Sequence, residues 1–64
     1  QEVDEVVSTR SNYQMLLTRL RIYMDYYLVT DDVKSLHTES MKYGEEGEYE
    51  IANVLLEEAI ELLT

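Results

Sequence analysis

Asn12-Tyr13-Gln14-Met15-Leu16-Leu17-Thr18-Arg19-Leu20-Arg21-Ile22-Tyr23-Met24-Asp25-Tyr26-Tyr27-Leu28-Val29 is the stretch whose reading decides the fold. Tyr13, Leu16, Leu17, Leu20, Tyr23, Met24, Tyr27 and Leu28 recur at three- and four-residue intervals, the spacing of one broad apolar stripe on a helix. That stripe is the expected core face. Met15, Ile22, Tyr26 and Val29 project on nearly the opposite side, set apart by Gln14, Thr18, Arg21 and Asp25. The helix at 12–29 is therefore apolar on two faces, and the second needs its own cover. Another copy of the chain, a different partner and the N-terminal arm are the three ways to supply it. Ser11, with Gln14 three positions on, fits a capping box at the start.

Upstream, Val3, Val6 and Val7 can extend the core stripe, but Ser8-Thr9-Arg10-Ser11-Asn12 is a run of residues that compete locally for backbone hydrogen bonds. Two readings stand: a short helix or frayed arm over 1–11, or one continuous helix from Glu2 to Val29. Downstream, Thr30-Asp31-Asp32 marks a new helix start, with capping oxygens and negative charge at the positive end of the dipole. The spacing of Val33, Leu36, Ser40 and Met41, with His37 among them, predicts a helix over 32–43 that Gly44 stops. Gly44-Glu45-Glu46-Gly47 then reads as a turn. A last helix over 48–63 carries a wide apolar arc of Tyr49, Ile51, Ala52, Leu55, Leu56, Ala59, Ile60, Leu62 and Leu63, with Glu50, Asn53, Glu57 and Glu61 opposite. The expectation is an all-α protein, a small three- or four-helix bundle forming a single domain over residues 1–64.

Sixty-four residues bury only about 60% of their unfolded surface, so the margin of stability is thin and help from a second chain is a natural expectation. The chain has no cysteine, which removes disulfides, thiolate metal sites and a thiol nucleophile, and which fits a cytoplasmic setting. No apolar run approaches the roughly 20 residues that span a bilayer, so no membrane role is expected.

Fourteen acids face five bases, for a net charge of -9. The imbalance is local, because residues 31–64 hold ten acids and two bases, and Glu45 to Glu61 includes seven glutamates and no base. Direct binding to nucleic acid or anionic lipid, which depends on neutralising phosphates, is excluded by that field. A basic protein is the complementary partner. All six aromatic residues are tyrosines, side chains that pair a large contact area with a hydroxyl tolerant of water and that concentrate at interfaces.

Catalytic chemistry has little to work with. His37 is the single histidine and has no second base beside it in the sequence, so it reads as a packed, hydrogen-bonded side chain. The glutamates lack the alternating ligands and central glycine of an EF-hand loop, and no glycine-rich phosphate loop is present. No enzymatic activity, metal or cofactor is expected.

From Thr30 to Leu63, the capped start, the apolar positions Val33, Leu36 and Met41, and Gly47-Glu48-Tyr49-Glu50-Ile51-Ala52 opening a leucine-rich helix resemble small helical immunity proteins of bacterial polymorphic toxin systems, of the Maf type. The resemblance covers about half of the chain. It implies a protein that neutralises a cognate toxin by binding it. Asp25-Tyr26-Tyr27 followed by Asp31-Asp32 is also similar to the paired tyrosines and nearby acids with which colicin nuclease immunity proteins hold their enzymes. Since Tyr27 falls on the core stripe, only Tyr26 fits that part. The expected function is thus occlusion of a basic toxin, a nuclease in the simplest case. Glu45, Glu46, Glu48, Glu50, Glu57 and Glu61 would steer, Tyr49 or Tyr26 would anchor, and Met15, Ile22, Tyr26 and Val29 would form an oligomer contact. Two alternatives come from other classes: an acidic mimic of nucleic acid that blocks a host DNA- or RNA-binding protein, and a helical oligomerisation or regulatory module.

Overall fold

The computed structural model describes residues 2–64, with side chains from Ser8 onward. It contains three helices, α1 over Glu2–Tyr26, α2 over Asp31–Glu45 and α3 over Tyr49–Leu63, and no strand among the described residues. The protein is a small all-α three-helix bundle. Gln1 and the side chains of Val3, Val6 and Val7 lie outside the described residues.

Of the two readings of the N-terminal region, the continuous helix is the one found. Ser11 sits in its interior, so the Ser11–Gln14 capping box does not exist. Each poor helix former from Ser8 to Asn12 costs roughly 0.5 kcal/mol against alanine. Tertiary contacts offset that cost: Asn53 Nδ2 donates to the Thr9 carbonyl at 3.2 Å, and Tyr13 packs into the bundle. At about 1.5 Å per residue, 25 residues come to ~37 Å, which accounts for most of the molecule's 40 Å long dimension.

At its C-terminal end α1 is shorter than its apolar pattern. Tyr27 N–H still donates to the Tyr23 carbonyl at 2.8 Å, and the two rings meet edge-on with centroids 5.8 Å apart, but the chain bends there. Leu28, expected on the core face, is 91% exposed, and Tyr27, expected there too, is half-exposed. Val29, expected on the outer face, turns inward and packs against the core. The extended backbone of Thr30 then starts α2. Its carbonyl accepts from Lys34 N–H at 3.1 Å, while its side chain makes no cap bond, and Asp31 and Asp32 occupy the first turn, where the dipole favours them.

Helix α2 passes through Gly44, which is helical and buried, and ends at Glu45. Gly47 is the stop. Its φ of 84° is left-handed, its N–H donates to the Gly44 carbonyl at 3.1 Å, and Glu48 N–H donates to the Tyr43 carbonyl at 2.8 Å. Those two bonds are a Schellman closure, which requires a residue free of the Cβ penalty at the position Gly47 holds. Gly44 serves packing instead: a Cβ there would collide with Cζ and Oη of Tyr13 and lie 2.8 Å from its Cε1.

Tyr13, in the first half of α1, thus lies against the end of α2, and its ring meets Tyr49 at the start of α3, with centroids 5.4 Å apart. Further along α1, Leu16 and Leu20 join Val33, Leu56 and Ala59 in the core. Helices α1 and α3 therefore run parallel and α2 runs back between them in sequence. Helix α3 packs along both others, while α1 and α2 meet over little of their length. Small buried residues, Ser40 and Gly44 on α2 and Ala52 and Ala59 on α3, permit close approach. Ser40 Oγ is satisfied by the His37 carbonyl at 2.7 Å. Leu20, Leu56 and Val33 are almost fully enclosed, each contributing about 1.5–3 kcal/mol relative to exposure.

Candidate acidic flank on the last helix

Glu50, Glu57 and Glu61 follow one another at intervals of seven and four residues, which places them on one flank of α3. All three are exposed. Glu48, the residue preceding α3, Glu46 in the turn and Glu45 at the end of α2 are exposed as well, so the acids continue from the flank onto the α2–α3 corner. None of these carboxylates forms a salt bridge with a described residue. The corner's negative charge is felt inside the bundle: the Tyr13 hydroxyl is held above its ordinary pKa by burial first, then by the Glu45 charge, then by Tyr49.

Two expected contact residues fall elsewhere. Tyr49 is half-buried against Tyr13 and belongs to the interior packing of the bundle. Tyr26 is 82% exposed, but it closes α1 at the end of the bundle opposite the α2–α3 corner. About 22 Å of helix separates those two ends. Of the expected oligomer face, Met15, Ile22 and Tyr26 are exposed on the outer side of α1, while Val29 has left it for the core.

Sequence reasoning missed a second outer stripe. Ile51 and Leu62, assigned to the inner arc of α3, are exposed, as is Val54. Together with Glu58 they occupy the side of α3 facing away from Leu56, Ala52 and Ala59. The signal was available, because nine apolar positions in one arc of a 15-residue helix exceed the sector that two neighbouring helices can cover.

His37 is not the hydrogen-bonded side chain expected of it at Nε2, which is buried and has no partner among the described residues. Burial, and secondarily the positive charge of Arg21 across on α1, hold its pKa below the ordinary value. Asn53 has the complementary imbalance: Nδ2 is bonded to Thr9, but Oδ1 is buried without a partner. Among the described residues no group of three or more His, Asp or Glu side chains is placed to hold a metal ion. Among the described residues no helix is long and apolar enough to cross a membrane.

Comparison with family models, with curated proteins and with solved structures finds no match for this chain.

Proposed function

We propose that this protein is a non-catalytic binding module that holds a cationic protein against the acidic flank of α3 and neutralises it by occlusion, with a toxin as the partner in the immunity-protein form of this reading. One observation carries it: Glu50, Glu57 and Glu61 stand in a row, exposed and without a salt bridge to any described residue, and are continued by Glu48, Glu46 and Glu45 at the corner. Exposed carboxylates without a salt bridge to any described residue present a field that raises the encounter rate of a cationic partner by roughly 10- to 1000-fold at low salt. Steering comes from the flank. A partner that also engages Tyr26 has to span the length of the bundle, since Tyr49 is committed to Tyr13.

The experiment is capture from cells that carry the neighbouring genes, followed by titration of the captured basic protein with the wild type and with a Glu50→Lys, Glu57→Lys, Glu61→Lys variant. The expected result is one dominant cationic ligand, bound at least tenfold more weakly by the variant and more weakly in 300 mM than in 30 mM NaCl. Unchanged affinity in the variant would refute the reading. Displacement of duplex DNA from several unrelated basic proteins would replace it with nucleic-acid mimicry.

A further inference from the structure

Two exposed apolar stripes run along the bundle, and each carries one charged residue in its middle. On α1, Met15, Ile22 and Tyr26 are 49–82% exposed, and Arg19 lies among them beside a shallow hollow. On α3, Ile51, Val54 and Leu62 are 44–61% exposed, and Glu58 lies among them. Neither Arg19 nor Glu58 forms a salt bridge with a described residue.

We infer that a second copy of this chain covers these faces, with the outer stripe of α1 on one copy packed antiparallel against the outer stripe of α3 on the next. Counted outward from the central charges, the stripes match in reverse order. With Arg19 opposite Glu58 of the second copy, Met15 falls opposite its Leu62, Ile22 opposite its Val54 and Tyr26 opposite its Ile51. A parallel alignment about the same charge pair leaves Tyr26 and Ile51 unmatched. Charge also disfavours the symmetric alternatives: α1 on α1 brings Arg19 toward its own copy, and α3 on α3 sets one run of glutamates against another. The joined stripes comprise only three apolar residues and one charge on each copy, small for a specific interface, so association belongs to high protein concentration. Because the two patches differ, each added copy leaves one of each free, and the contact builds chains or rings rather than stopping at two. At the rim the register places Asp25 near Glu50 of the second copy, a like-charged neighbour that weakens the contact. This assembly goes beyond the binding role above and does not depend on it.

Sedimentation equilibrium of the full chain from 0.05 to 1 mM tests the arrangement, with circular dichroism confirming that each variant is folded. The wild type should show mass rising beyond a dimer. Arg19→Glu and Glu58→Arg should each shift association to at least tenfold higher concentration, an equimolar mixture of the two variants should restore it, and Asp25→Asn should strengthen it. A wild type that remains monomeric at 1 mM, a dimer that adds no third copy, or a mixture no better than either variant alone would overturn the inference.

Discussion

Replacing Gly44 with alanine separates two effects of opposite sign. Gly44 lies within α2, where glycine costs up to about 1 kcal/mol relative to alanine, so helix propensity alone makes the substitution stabilising. The added Cβ, however, would occupy the space of Tyr13 Cζ and Oη and approach Cε1 to 2.8 Å. Displacing that ring costs about 1–3 kcal/mol as overpacking, and moving it off Tyr49 forfeits a further ~0.5–1.5 kcal/mol of ring contact. The net expectation is a loss of roughly 0.5–3.5 kcal/mol, which in a domain of this size lowers Tm by about 4–8 °C for each kcal/mol. Tyr13→Leu removes the three clashing atoms while keeping apolar bulk. In that background Gly44→Ala should therefore stabilise by about 0.5–1 kcal/mol. Urea denaturation of the four proteins, followed by circular dichroism at 222 nm, completes the cycle. If Gly44→Ala stabilises the wild type, or costs the same in both backgrounds, the close approach of Tyr13 to α2 is wrong.

Gly47→Ala should destabilise by about 1–2 kcal/mol in the same urea assay, because its φ of 84° is left-handed, and Gly47→Asn should lose less. His37 has its folded pKa depressed, so the unfolded chain binds more protons once pH falls below about 6.5; stability is full above that value and is lost as pH falls toward the folded pKa. Melting temperatures between pH 7.5 and 5.5 should accordingly decline on acidification in the wild type and decline less in His37→Gln. With a net charge of -8 over residues 31–64 and no salt bridge among the described residues for salt to weaken, raising NaCl from 0.01 to 0.5 M should raise Tm. A falling Tm would show that attractive pairs dominate.

The bundle was legible in the sequence where local patterns decide and illegible where distant contacts do. Periodicity and the Asp31-Asp32 start placed α2 and α3 to within two residues at each end. The helix stop falls on Gly47 rather than Gly44 although either glycine can end a helix, and the deciding fact is the ring of Tyr13, a residue 31 positions upstream of Gly44. The run from Ser8 to Asn12 leaves a break and a continuous helix both open because Ser8, Thr9, Ser11 and Asn12 are poor helix formers; the Asn53 bond to the Thr9 carbonyl and the packing of Tyr13 hold it helical. Val29 lies seven residues after Ile22, the spacing of a shared helix face, but the helix ends at Tyr26 and the spacing no longer applies. Of the candidate site, the spacing of Glu50, Glu57 and Glu61 is enough to set them on one exposed flank of α3. The width of the α3 apolar arc signals an uncovered stripe, but that Ile51, Val54 and Leu62 are the positions left bare depends on how α1 and α2 pack against α3.

Amide chemical shifts of the labelled protein, recorded while a captured cationic partner is added, bear most directly on the claim that the α3 flank is the contact surface. The expected perturbations run from Glu45 to Glu61, greatest around Glu50, Glu57 and Glu61, and fade with added salt. Perturbations confined to the outer face of α1, with the glutamate amides unmoved, would contradict it.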